Sequence, residues 1–315
     1  MHRRSFLKTM AVSASALGSG ALLTACASGD GSAPGSPAGP TPGAGPTSPT
    51  GSAAGAIPEG EATLNVINAS FETLAGADRR MAFGVTTIDN EPVTEGPLEV
   101  FLRNPDGQVL VGPLPAQFYD QGGSALGVWL SSLNVPQPGI VELVAVTGGR
   151  HGAAAVNVVT PEQAQAPVPG APAASVATPT TADDLGFASI CTADPQCGMH
   201  QVSLDDALAA GRPVMMLFAT PAFCQTAVCG PAVSTVDAIR QSLGNAGTDV
   251  DWIHCEVYTD QGQTLAPQLG PDGWALPTEP WLFSIGPGGD IRDRLDGPMV
   301  DVVVEDMARG LLPEA

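Results

Sequence analysis

The sequence predicts two folded parts in series, an all-β sandwich followed by an α/β domain. Three observations predict it. Between 61 and 160, short β-branched and aromatic runs alternate with turn residues. From 203 to 312, apolar strand-like runs alternate with helix-like segments. Two stretches poor in large apolar residues, 27–60 and 161–186, lie before and between the folded parts.

The first 26 residues read as a targeting segment rather than structure. His2-Arg3-Arg4-Ser5-Phe6-Leu7-Lys8 resembles a twin-arginine export motif. A weakly apolar Ala/Ser/Gly stretch follows and ends Leu23-Thr24-Ala25-Cys26, which resembles a bacterial lipobox. The resemblance implies cleavage before Cys26, lipidation of its thiol, and a place on the outer face of the cytoplasmic membrane. The apolar stretch is too short and too rich in small residues to span a bilayer, which takes about 20 apolar residues. Residues 27–60 are a Gly/Pro/Ser tether. It spans roughly 30 Å as a flexible coil and up to about 95 Å as extended polyproline.

The formal net charge is −20. A chain this acidic is repelled by nucleic acid and by anionic lipid headgroups, so neither is an expected partner and the lipid alone would hold it at a membrane.

In the first folded part, strands are expected at 64–71, 80–88, 98–103, 127–130, 140–146 and 153–159. Asn104-Pro105-Asp106-Gly107 is a turn signal between two of them. Six or seven short strands in about 100 residues fit an immunoglobulin-like sandwich. Trp129 reads as core, and His151, in a Gly-rich turn, as a solvated loop residue. No catalytic constellation is visible here, and the unit reads as a spacer or a partner-binding surface.

Residues 161–186 read as a second linker, and 187–315 as the α/β domain. Ile190-Cys-Thr-Ala-Asp-Pro-Gln-Cys-Gly-Met-His200 is its cysteine-bearing lead-in. Ser203–Gly211 reads as a short helix capped by Ser203. Pro213–Phe218 has the length and composition of a buried central strand. Cys224 and Cys229 follow it, then Gly230-Pro231 and the helical pattern 233–243. Val250–Tyr258 is the next strand, with Trp252, His254, Glu256 and Tyr258 on one side and Ile253, Cys255 and Val257 on the other. Trp281–Ile285 and Ile291–Leu295 form a hairpin, and 300–312 a closing helix.

Cysteines just past a buried strand and before a helix sit where N–H groups and the helix dipole stabilise a thiolate. On a regular helix, residues five apart point about 140° apart and lie roughly 7.5 Å apart along the axis. Cys224 and Cys229 can therefore bond only if the segment between them is a loop.

On these residues, 203–312 resemble a thioredoxin-fold domain of the membrane-anchored TlpA/ResA type, with C-x4-C in place of C-x-x-C. The fold expected from the resemblance is an α/β thioredoxin-like domain after the sandwich. The activity it implies is thiol–disulfide exchange with exported proteins or small thiols and disulfides. Cys224 would attack and Cys229 resolve. Leu276-Pro-Thr-Glu-Pro280 resembles the substrate-binding cis-proline loop, which makes Pro280 the cis residue and Glu279 its neighbour, with His254 and Glu256 as possible acid–base groups. No cofactor and no metal are implied by that reading.

With Cys26 lipidated, the simplest pairing is Cys191–Cys197 as a structural clip and Cys224–Cys229, leaving Cys255 as a buried inert thiol. A rival pairing links the lead-in to Cys224 and Cys229. Other readings stay open beside the oxidoreductase. Peroxiredoxins also use C-x4-C, but their pattern needs Pro at 217 and Thr or Ser at 221, where this chain has Leu217 and Pro221. Sco-type copper proteins use two cysteines and a distal histidine, a role open to Cys224, Cys229 and His254 with Met199 or His200. The chain also reads as a non-enzymatic surface binding or assembly module whose cysteines form structural bridges.

Overall fold

The computed structural model describes residues 55–120, 127–224, 227–244 and 249–313. The expected leader, Cys26 and most of the tether lie outside them. The regular structure they contain is mostly strand, with twelve strands and three α-helices. None of these helices is long and apolar enough to cross a membrane.

Eight strands build the first part: β1 (Leu64–Asn68), β2 (Thr73–Leu74), β3 (Gly76–Thr87), β4 (Leu98–Arg103), β5 (Val109–Tyr119), β6 (Val128–Val135), β7 (Gly139–Thr147) and β8 (Arg150–Val159). Their order is β1-β3-β6-β5-β4-β7-β8-β2. The strand β5 belongs to two sheets. Val109 to Ala116 pairs with β4, and Gln117 to Tyr119 pairs with β6. The result is an all-β immunoglobulin-like sandwich. Alternate residues of facing strands fill it, among them Met81, Phe83, Val100, Leu102, Leu133 and Leu143. Trp129 is in this core and donates its indole N–H to the Val93 carbonyl at 2.7 Å.

Two glycines mark where backbones approach too closely for a side chain. A Cβ on Gly152 would lie 2.2 Å from the Leu64 carbonyl oxygen, where β8 meets β1. Gly112 sits at a register shift in the pairing of β5 with β4, with φ +111°, and a Cβ there would lie 2.6 Å from the Val100 oxygen. The Asn104–Gly107 turn forms as expected, with the Gly107 N–H on the Asn104 carbonyl at 2.9 Å. His151 differs from expectation. It lies in β8 and is buried, because the strand begins at Arg150, before the Ala-rich run that signals it.

The second part contains α1 (Leu204–Ala209), β9 (Val214–Phe218), α2 (Cys229–Ser242), β10 (Asp251–Cys255), β11 (Trp281–Ile285), β12 (Ile291–Asp296) and α3 (Asp301–Arg309). Its four strands lie in the order β10-β9-β11-β12. Strands β9 and β10 are parallel, and β11 is antiparallel to both β9 and β12. Every residue of β9 is buried, because both faces of the sheet are covered. Met215 and Leu217 face Val233 and Val236 of α2 and Val304 of α3. Met216 and Phe218 face the other way, with Trp274, Phe283 and Leu204 of α1.

The 161–186 stretch is a connection, but not a loose one. Its backbone pairs with the first residue of β12 and the turn before it, through Gly170 N–H to Ile291 O at 2.8 Å and Ala173 N–H to Gly289 O at 2.8 Å. Thr178 is buried, and its hydroxyl oxygen accepts the Leu204 N–H at 3.0 Å. That contact caps α1 in place of Ser203, whose own hydroxyl accepts the Thr178 N–H. Proline-rich composition suggested a linker because such segments rarely fold alone. Laid against an existing sheet, their free carbonyls and N–H groups find partners.

The two parts and the connection form one compact unit. Arg294 of β12 joins all three. Its guanidinium donates to Glu72 at 2.8 Å and to the carbonyls of Ala166 at 3.1 Å and Pro167 at 3.3 Å. It also lies over the Trp281 ring, 5.3 Å from the centroid. Asp296 accepts the Phe71 N–H at 2.8 Å and the Glu72 N–H at 3.3 Å. The Arg294 and Glu72 side chains are only 7% and 10% exposed.

Removing one member of a buried pair strands the other charge, at about 3–5 kcal/mol. Arg294→Ala is expected to lower the unfolding free energy by that amount in urea denaturation followed by tryptophan fluorescence. A loss under about 1 kcal/mol would show that the pair does not hold the parts together.

Candidate functional site

The buried run of β9 ends at Phe218, and Thr220-Pro221 turns the chain away from the sheet. The Thr220 carbonyl accepts the Cys224 N–H at 2.9 Å. Cys224 therefore sits in a turn, while Cys229 begins α2. With only one of the pair on the helix, their Cα atoms come to 6.2 Å and the two are joined by a disulfide. Glu279 and Pro280 arrive from the segment before β11 through a cis peptide bond. Glu279 accepts the Thr220 N–H at 2.5 Å, and its carboxylate lies within 4.8 Å of both sulfurs. The structure thus gathers Cys224, Cys229, Glu279 and Pro280 at one place. Burial lifts the Glu279 carboxyl to about 7, against the opposing pull of the Thr220 N–H.

A second sulfur centre lies beside it. Cys191, Cys197, His200 and His254 bring one ligand atom each to within 4.8 Å of one another. Three of the four come from the irregular lead-in 191–200. Several contacts hold that loop. The His254 N–H donates to the Met199 carbonyl at 2.9 Å. The Gly198 N–H donates to Asp237 at 3.2 Å. Thr192 donates its N–H and hydroxyl to the two oxygens of Glu256, at 2.6 and 3.0 Å. His254 comes from β10, on the face shared with Trp252, as strand alternation predicts.

The expected Cys191–Cys197 clip is not formed. The two thiols are free, with Sγ atoms 3.7 Å apart. Cys197 Sγ lies 3.3 Å from His200 Nε2 and 3.4 Å from His254 Nδ1. A tetrahedral ion bound at ordinary zinc distances sets sulfur–sulfur edges of about 3.8 Å and sulfur–nitrogen edges of about 3.5 Å. The three measured edges follow that figure closely. His254 Nε2 lies 2.8 Å from the Ala219 carbonyl, so Nε2 carries a proton and donates it while Nδ1 faces the sulfur. That is the outer-shell contact a ligating histidine usually makes. His200 Nδ1 is buried with no hydrogen-bond partner among the described residues.

The hydrogen bond shared with Cys197, with help from both imidazoles, pulls the Cys191 thiol well below its ordinary value, and the same contact holds Cys197 high. Burial works against a charged His254, but Cys191, Glu256 and the Ala219 carbonyl outweigh it and the imidazole is raised. Burial also raises Glu256. Cys255 lies on the opposite face of the sheet, its thiol pushed up by burial, in keeping with an inert core residue.

The copper-site expectation is therefore redrawn. The sulfurs of Cys224 and Cys229 are bonded to each other, and His254 and His200 face the other cysteine pair. In the sequence, Asp194-Pro195 between Cys191 and Cys197 favours a turn and so suggests a clip. The available signal was Cys197-Gly-Met-His200, a C-x-x-H spacing beside a second cysteine.

No protein-family model matches the chain, and no curated protein matches it. Among solved structures, the Lin-41 filamin domain is 12% identical over 33% of this chain and 98% of its own, with a TM-score of 0.22. The Escherichia coli adhesin FdeC is 16% identical over 38% of this chain, with a TM-score of 0.23. The match spans only 37% of the adhesin. Scores this low carry no argument about activity. The resemblance of 203–312 to TlpA/ResA-type oxidoreductases is corrected by these findings. The solved structures found similar are filamin and adhesin domains, and the regular structure of the described residues is mostly strand, with three α-helices. The immunoglobulin-like sandwich stands; an α/β thioredoxin-like second domain is not shown.

Glu279 has a folded value of about 7 against an ordinary 4.5, so between those values the folded chain holds a proton that the unfolded chain releases. Its contribution is complete below about 4.5 and is lost as pH rises through about 7. Asp296, lifted by burial to about 6, acts in the same sense. The urea midpoint is expected to fall from acidic to neutral pH, and Glu279→Gln to make that fall shallower. An unaltered slope in the variant would remove Glu279 as its source.

Proposed function

We propose that this chain is an exported, non-enzymatic binding module that holds a soft metal ion at Cys191, Cys197, His200 and His254. One observation carries the reading: the three separations that meet at Cys197 Sγ, one to sulfur and two to nitrogen, have the edge lengths of a tetrahedral two-sulfur, two-nitrogen ligand set. That ligand set favours zinc among the common divalent ions, with copper(I) as a soft alternative. The chain supplies all four ligands and leaves no coordination position for a substrate, as in structural and storage sites rather than catalytic ones. The Cys224–Cys229 disulfide serves in this reading as a structural bridge. The motifs of residues 1–26 support export and lipid attachment at the outer face of the membrane, where the sandwich would be presented to neighbouring proteins.

Ligation requires both thiolates and unprotonated ligand nitrogens, so binding releases protons and weakens as pH falls. Titration of the reduced chain with zinc against a chromophoric chelator is expected to give one ion per chain. Cys197→Ser is expected to cost more than the 10–100-fold typical of an outer-shell partner, while Glu279→Gln leaves the affinity unchanged. Absence of stoichiometric binding by the reduced, folded chain would sink the reading.

A further inference from the structure

We propose that the ion site is gated by oxidation: joining Cys191 to Cys197 as a disulfide expels the ion, and reducing that bond restores the site. The inference rests on the ion-holding reading and adds its regulation. Its basis is the placement of the two sulfurs, 3.7 Å apart on one short loop. A disulfide brings sulfurs to about 2.05 Å, so closure requires an approach of less than about 2 Å. No helix or strand has to break, because residues 191–200 contain neither. The Cys197 N–H already points at Cys191 Sγ, at 3.5 Å.

The loop is also held by contacts that do not pass through the ion. The Thr192 bonds to Glu256 persist whichever state the sulfurs are in, and the Thr192 hydroxyl oxygen accepts the Ala222 N–H at 3.0 Å. Reduction therefore returns the thiols to the same place. Cys224 and Cys229 are already bonded to each other, and Cys255 is fully buried on the far face of the sheet. Among the described residues, Cys191 and Cys197 are the free thiols that face one another.

The co-reactant is a small-molecule disulfide. Cys197 is the more accessible of the two, since Cys191 is only 3% exposed. Kept as a thiolate by the bound ion, Cys197 attacks one sulfur of the incoming disulfide, forms a mixed disulfide and expels one thiolate. Cys191 then attacks Cys197 Sγ, forms the internal bond and expels the second thiolate. Two cysteine thiolates are oxidised, one external disulfide is reduced to two thiols, and the metal ion leaves with its charge unchanged. Both anionic ligands are consumed, and two neutral imidazoles are left to hold a divalent cation.

The test uses the full chain, loaded with one equivalent of zinc and titrated with oxidised glutathione. A chromophoric chelator reads released zinc, and peptide mass mapping reads cysteine pairing. The expected result is one zinc released for each Cys191–Cys197 bond formed, with two glutathione thiols produced. Dithiothreitol should restore zinc binding, and Cys224–Cys229 should stay bonded while zinc is released. Zinc retained through the titration, or zinc lost without a Cys191–Cys197 bond, overturns the gate and leaves the ion-holding reading intact. Failure of the reduced chain to take up zinc before any oxidant is added overturns both.

Discussion

The buried guanidinium of Arg294 is the interaction on which the arrangement depends. A lone charge at that depth would be costly, and this one is held by Glu72 from the sandwich, two carbonyls from the connection and the face of Trp281. Because Ala166 and Pro167 are fixed there, the chain leaves the sandwich in a set direction. It then follows the edge of β12, caps α1 through Thr178 and delivers 187–200 to the end of β10. The sulfur and imidazole ligands meet at the end of that path. The geometry of the site is thus set partly by contacts far from it.

Two sulfur centres side by side invite comparison. At Cys224–Cys229 the electrons are already in a bond, and the nearby Glu279 is lifted by burial rather than by the sulfurs. At Cys191 and Cys197 the thiols are free and are matched by two imidazoles. A pair of free thiols backed by two buried histidines is suited to exchange protons for a cation of similar charge. Glu256 serves the centre without entering it, accepting from Thr192 and lying 3.9 Å from His254.

Much of the fold was legible in the sequence, for identifiable reasons. The strand β9 is apolar on both faces, so its run is continuous, and β10 alternates cleanly enough to place His254 and Cys255 on opposite sides. The Asn104–Gly107 turn carries its own chemistry. The strand β5 was missed because Pro113 and Pro115 disqualify a central strand, whereas this one passes between sheets. The connection was misread because its partners are distant in sequence. The proposed ion site is half legible: all four residues stand out in the sequence, but proximity in the chain pairs the cysteines with each other. What decides their partner is the position of His254, which only the register of β10 beside β9 supplies.

The connection has one more consequence. Residues 170–173 pair with the start of β12 and the turn before it, and the lead-in that follows reaches the opposite edge, where Met199 accepts the His254 N–H. One continuous segment therefore covers part of both open sides of the four-stranded sheet. Unpaired strand edges are templates for joining one molecule to the next. Where this segment lies, the edge groups are already paired and closed to extension by another chain.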